Sequence, residues 1–230
     1  MSKINDVFDR MDDWRHLPGY QLERRADLFF SLYLQEALEA KLGFPIRHEL
    51  IPEFPIRCGT INTSELSNNR SFKMDYLALS NDGKKAIFVE LKTDGRSIQP
   101  EQVNYLTEAK KVGMKRLLEG LPEIFLATTY KQKYFCLLKK LEGMKLMQIP
   151  TQMNEIMERS QHQGLTKASR DIQITSHVKS CIIVYVQPNI SEESKTKSIS
   201  FQEFEGIVRK HSDPISQRFA KSLSEWAKPL

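Results

Sequence analysis

The sequence predicts an α/β domain in which a central sheet is flanked by helices. Three stretches point to it. Residues 72–94 hold two short apolar runs around a turn, residues 20–42 carry a helical apolar stripe before them, and Cys181–Val186 form a later buried strand. The apolar runs are rich in Phe, Tyr, Ile, Val and Leu, which pack well on pleated sheets. At 230 residues the chain is long enough for one large domain or two small ones, and is read here as a single unit over 1–230.

The N-terminal 19 residues are polar and end in His16-Leu17-Pro18-Gly19. They predict a loose turn packed on the body through Trp14 and Leu17. From Tyr20 to Leu42, Leu22, Ala26, Phe29, Tyr33 and Ala37 recur at helical spacing, and Gly43 closes the helix. Pro52 and Pro55 then interrupt an apolar run, so the first strand belongs at a sheet edge or carries a bend. Residues 58–71 read as a polar connection, flexible and near a substrate.

The two runs that follow form a hairpin. Asp82-Gly83 suits the positive φ angles of a two-residue loop, and with Asn81 opposite Lys84 the register follows. Stepping outward, Asp75 comes to lie across from Glu90, and Lys92 and Asp94 project from the same face as Glu90. Opposed carboxylates repel unless a positive charge lies between them, and a divalent cation with oxygen ligands meets that need. The alternative is a solvated surface ion pair, but Phe88-Val89-Glu90-Leu91 is nearly all apolar, as in strands covered on both faces. Charges embedded there need partners.

Pro100 opens a long helix to about Glu119, with Val103, Leu106, Ala109, Val112 and Leu117 inward. One or two helices follow over 121–147 and a short one over 151–164, with Met153, Ile156 and Met157 inward; residues 167–179 read as a strand or extended loop. Tyr130, Tyr134 and Phe135 lie among lysines, a pattern that can stack bases but is read here as core. A short strand leads into a helix over 198–208, and an amphipathic helix over 216–226 closes the chain.

Asp75 followed by Glu90-Leu91-Lys92 resembles the PD-(D/E)XK nuclease superfamily, with Met74 where the name-giving Pro would stand. The resemblance covers residues 20–118 and the late strand. It implies a restriction-endonuclease-like αβββαβ core (20–118 and 181–230) with a mixed central sheet, a mainly helical insertion over 121–179, and C-terminal helices. It further implies that Asp75 and Glu90 bind Mg²⁺, with Mn²⁺ as a substitute, and that Lys92 positions the attacking water. Such folds often place a further acid on the helix before the first strand. By the helical wheel Glu36 is the best placed, ahead of Asp27 and Glu23. Gln99 and Gln102 open the next helix near the site, and Gln102 is where a family glutamine can join it, although a solvated first-turn glutamine is the preferred reading. The implied activity is hydrolysis of phosphodiester bonds in DNA, often by homodimers. The alternatives are a non-catalytic nucleic-acid-binding module on the same fold, and an interaction protein whose Asp75–Glu90 pair is only a surface feature.

Charge agrees with a polyanionic partner. The net charge is +5, and residues 110–145 hold nine Lys or Arg against three Glu. Lys110, Lys111, Lys115 and Arg116 are the nucleic-acid contacts this concentration suggests. Cys58, Cys136 and Cys181 lack paired spacing and read as reduced, mostly buried thiols; with scattered histidines, this argues against zinc or a Ser-His-Asp site. No apolar run is long enough to span a bilayer and the N-terminus lacks a secretory pattern, so the expectation is a cytoplasmic protein away from membranes.

Overall fold

A computed structural model describes residues 3–93, 100–159, 163–190 and 197–228. The chain opens with α1 (Lys3–Trp14) and α2 (Leu22–Leu42), then runs through β1 (Ile51–Arg57), the short turns α3 (Cys58–Ile61) and η1 (Thr63–Glu65), β2 (Ser71–Leu79) and β3 (Lys85–Leu91). After α4 (Pro100–Glu119) come α5 (Leu121–Ala127), α6 (Lys131–Gly143), β4 (Met147–Gln148), α7 (Gln152–Glu158), α8 (Leu165–Arg170) and β5 (Gln173–Ile174). The chain then returns to the sheet through β6 (Ser180–Gln187) and β7 (Lys197–Ser200), and ends in α9 (Phe201–Val208) and α10 (Pro214–Trp226).

The main sheet has five strands in the order β1-β2-β3-β6-β7. It is mixed: β1, β2 and β3 are antiparallel, whereas β6 runs parallel to β3 and to β7. A β-helix-β crossover brings β6 beside β3, which makes β3 a central strand buried on both faces and explains its unbroken apolar run. The proline-bearing β1 takes the edge, where a missing N–H costs no ladder bond.

Each face of the sheet has its own core. On one, Phe8, Ala26, Phe30 and Leu34 of α1 and α2 pack with Phe204, Phe219 and Trp226 of α9 and α10 over Ile87, Val89 and Val184. On the other, Leu106, Leu117, Phe125, Leu138 and Met153 of α4 to α7 pack over Leu77, Phe88 and Ile183. Residues 121–174 thus supply much of one covering layer. Within α4, Gly113 (φ 79°, ψ 163°) departs from helical geometry and kinks the helix.

Several expectations need correction. The N-terminal segment is a helix, because Ile4, Val7, Phe8 and Met11 recur at helical spacing; Phe8 and Met11 are buried while Trp14 and Leu17 are exposed. Asp9 and Asp12 of α1 hold Arg218 of α10 at 2.7 and 2.6 Å, and Trp226 Nε1 donates to Asp12 at 2.8 Å. The 58–71 connection is tied down by Arg57, which donates to Asn69 Oδ1 and the Leu66 carbonyl, and by backbone bonds from Cys58 to Arg70 and from Gly59 to Asn68. All three cysteines are free, but only Cys181 is buried. No helix among the described residues is long and apolar enough to cross a membrane.

Candidate active site

The hairpin register is the one read from the turn. Leu79 pairs with Ala86, Leu77 with Phe88 and Tyr76 with Val89, so the next rung outward is Asp75 and Glu90. The turn itself differs from a two-residue loop. Gly83 has φ 69° but Asp82 does not reach positive φ; Gly83 N–H donates to the Ser80 carbonyl at 2.8 Å. Asp82 Oδ1 instead accepts from the Ser80 hydroxyl and the Lys84 N–H, an Asx-type closure that keeps the same register with a longer loop.

At Asp75 both neighbouring ladders let go. The β2–β3 ladder ends at Tyr76, and the Leu91 N–H donates to Asp75 Oδ2 at 2.6 Å instead of to backbone. On the β1 side Pro52 pairs with Tyr76 and Phe54 with Met74, with Glu53 and Asp75 between them unpaired. Glu53 adopts φ 51°, a left-handed conformation that a non-glycine residue rarely holds. Met74 and Leu77 both join the core on the α4 side despite their odd spacing, as do Ile51 and Phe54. Regular strands put residues an odd number apart on opposite faces. Both strands therefore slip their alternation at one rung, and this opens a cavity where a sheet would otherwise close.

That cavity, about 260 Å³, is lined by the carboxylates of Glu23, Asp27, Glu53, Asp75 and Glu90, with Arg24, Lys73 and Gln102 on its walls. Glu90 and Lys92 are 1% and 2% exposed. Lys92 Nζ lies 2.8 Å from Glu90 Oε1 and 3.8 Å from Glu23 Oε2. The Lys92 N–H also donates to the Val186 carbonyl at 2.7 Å, so the parallel β6 strand fixes the backbone that carries the ammonium. Glu90 Oε2 and Gln102 Oε1 are buried without a hydrogen-bond partner. Buried acceptors without partners are costly, so these two oxygens are places where a donor or cation would fit.

The electrostatics follow from that crowding. Burial, then the nearby Asp75, raises the Glu90 carboxyl to about 7 against the pull of Lys92. Burial likewise raises Glu23 to about 7, opposed by Lys92 and helped by Asp75. Asp75 is raised by burial, which outweighs the Leu91 N–H bond and Lys92. Burial first, and these carboxylates second, also raise the Tyr105 and Tyr76 hydroxyls. Tyr105 holds the Lys73 carbonyl and Tyr76 the Asp27 carbonyl, which anchors α4 and α2 to β2 around the cavity.

Among the described residues no three His, Cys, Asp or Glu side chains stand as a ready metal cage. The donors nevertheless suit Mg²⁺, a hard cation that is commonly held by one or two carboxylates and keeps several waters. Asp75 and Glu90 both line the cavity, and Glu90 Oε2 is a buried oxygen with no hydrogen-bond partner.

Of the acids of α2, Glu23 lines the cavity and Glu36 does not. Glu36 lies 3.1 Å from His211, in the layer formed with α9 and α10. The two positions are thirteen residues apart, roughly 20 Å along a helix axis, and only the N-terminal end of α2 reaches the cavity. Asp27, one turn on from Glu23, lines it too. Gln102 in the first turn of α4 lines the cavity with its Oε1 buried, against the solvated glutamine preferred from sequence; Gln99 and Asp94 lie outside the described residues. Glu53 escaped the sequence reading, although a Glu between two prolines in an edge strand is itself an irregular pattern.

The four basic candidates are not at the cavity. Lys110, Lys111, Lys115 and Arg116 are exposed on the distal part of α4. Lys111 pairs with Glu108 at 2.7 Å and Arg116 with Glu119 at 2.9 Å. Tyr130 is exposed rather than core, while Tyr134 and Phe135 are half-buried.

Comparison with protein-family models, with curated proteins and with solved structures returned no match to this chain.

Proposed function

We propose that the chain is a Mg²⁺-dependent nuclease of the PD-(D/E)XK type, hydrolysing phosphodiester bonds in DNA on a restriction-endonuclease-like core. The observation that carries this reading is the buried Lys92–Glu90 pair, with Glu90 Oε2 unpartnered and Glu90 and Asp75 lining one shared cavity. The order α2-β1-β2-β3-α4 followed by β6 agrees with the core the motif implies.

Asp75 and Glu90 are the residues that would hold Mg²⁺, or Mn²⁺ in its place. When bound, the cation supplies charge neutralisation at the phosphoryl oxygens and a more acidic water. Lys92 offers its remaining N–H donors to the attacking water or to a phosphoryl oxygen, where negative charge develops. Glu90 and Glu23 hold that ammonium from two sides and limit its rotamers. Glu23, with its carboxyl raised to about 7, is suited to accept the water proton at Oε2 as the water oxygen bonds to phosphorus and the P–O bond to the leaving oxygen breaks, that oxygen taking a proton from solvent. The Leu91 N–H fixes Asp75 Oδ2 and leaves Oδ1 for the cavity.

The test is incubation of the protein with linear duplex, circular duplex and single-stranded DNA and with RNA, each with Mg²⁺ or EDTA. Cleavage with Mg²⁺ and none with EDTA is the expected result. Binding of nucleic acid without cleavage under any metal would replace the enzyme with a non-catalytic module.

A further inference from the structure

A second cavity, about 420 Å³, opens beside the first and shares Pro52, Glu53 and Lys73 with it. Its outer wall comes from α6 and the residue before it: Tyr130, Lys133, Tyr134 and Leu137. Tyr130 is 66% exposed, an unusual place for a large aromatic ring, and the Lys133 ammonium lies 5.6 Å from its centroid. A bond from the Tyr130 N–H to Thr128 Oγ1 at 3.1 Å fixes the backbone at this point. The neighbouring Lys131 is spent on structure, donating to the Phe125 and Leu126 carbonyls at the end of α5. Lys133 has no carboxylate partner among the described residues, and Lys73 meets only the exposed Glu53 at 3.9 Å.

We infer that this cleft binds an unpaired nucleotide next to the phosphate in the acidic cavity, its base stacked on Tyr130 and its backbone phosphate held by Lys133 and Lys73. The inference rests on the nuclease reading and adds to it a preference for single-stranded or frayed nucleic acid. A base offers its π-face to a ring only when unstacked, and aromatic rings among lysines are how single strands are held without sequence preference. The shared wall makes the two cavities one path, with aromatic and basic groups at one end and carboxylates at the other. A duplex hides its base faces, so it gains nothing from Tyr130. DNA and RNA share this chemistry, and the assay separates them.

The test is fluorescence anisotropy in EDTA with short labelled oligothymidylate, oligouridylate and duplex DNA, using the full chain. Tyr130→Ala should weaken single-strand binding about five- to a hundredfold, the range measured for loss of one base stack. Duplex affinity should stay within about twofold, and Tyr130→Phe should keep wild-type affinity. Lys133→Gln should lower the slope of log affinity on log salt by about 0.7 for each single-strand phosphate it no longer neutralises. The exposed position of Tyr130 lets both variants fold, which a thermal melt verifies. Unchanged single-strand binding by Tyr130→Ala overturns this inference alone, since the nuclease reading requires only Mg²⁺-dependent cleavage. Wild type that binds no nucleic acid and cuts none overturns both.

Discussion

Replacing Asp75 by Asn tests the charge balance of the site without changing its shape. The new Oδ1 can still accept from the Leu91 N–H, so the bond that ends the hairpin ladder survives. What goes is one negative charge, the second-largest cause of the raised Glu90 carboxyl after burial. A folded-state value near 7 against an unfolded 4.5 is on the order of 3 kcal/mol at alkaline pH. The sign follows from the direction of the shift. The folded protein holds the Glu90 proton more tightly than the unfolded chain, so this contribution is fully present below about pH 4.5 and is lost as pH rises through about 7. Wild type in EDTA should therefore lose stability between about pH 5 and pH 8. Asp75→Asn should recover part of the loss and melt above wild type at pH 8, by roughly 2–4 °C for each kcal/mol recovered in a chain of this size. Millimolar Mg²⁺ should act in the opposite sense. At a hundredfold excess over its dissociation constant it stabilises wild type by about 2.7 kcal/mol, and it should leave Asp75→Asn nearly unmoved. The assay is differential scanning fluorimetry across pH, with and without Mg²⁺. An Asp75→Asn protein that melts below wild type in EDTA at pH 8 would show that the two carboxylates do not repel in the fold. One that keeps the full Mg²⁺ shift would remove Asp75 from the proposed metal site.

Three further outcomes are expected. Glu23→Gln should slow cleavage by about a hundredfold or more, while Glu36→Gln should cut normally; the reverse order in a single-turnover assay would return the helix acid to Glu36. Neutralising Lys110, Lys111, Lys115 and Arg116 together should lower the salt slope of duplex binding by about 0.9 for each phosphate left without its cation, and an unchanged slope would move the phosphate contacts to the cleft of Lys73 and Lys133. Gly113→Ala should cost about 1–3 kcal/mol in a denaturant melt, because φ 79° with ψ 163° is open essentially to glycine alone; a stability equal to wild type would show that the break in α4 is not strained.

Much of the fold was legible because its signals are local. The Asp82-Gly83 turn fixed which residues of β2 and β3 face each other, and the two prolines placed β1 at the edge. The capping box of Ser200 and Glu203 marks the junction of β7 and α9, where a strand-to-helix switch was read. What was not legible is non-local. A helical wheel shows which side of α2 is apolar but not which end meets the sheet, and that end decides between Glu23 and Glu36. The slip shared by Glu53 and Asp75 is a joint property of two strands, so neither strand's sequence announces it alone. Tyr130 looked like core because aromatic residues usually are; only the packing of α6 against the rest leaves it outside. The α1 stripe of Ile4, Val7, Phe8 and Met11 was readable, and its many acidic neighbours, which hold Arg218 and Trp226, concealed it.

The proposed mechanism divides catalysis between the Lys92 ammonium and the carboxylates around it, and Lys92→Met probes that division most directly. Methionine keeps the buried aliphatic stem and removes only the ammonium, which is not a metal ligand. Mn²⁺ binding, followed by electron paramagnetic resonance, is measured beside single-turnover cleavage on the same samples. Both proteins should bind Mn²⁺, and Lys92→Met should cleave more slowly by about a hundred- to ten-thousandfold. Cleavage at the wild-type rate by Lys92→Met, or wild type that binds no Mn²⁺, would contradict that division of roles.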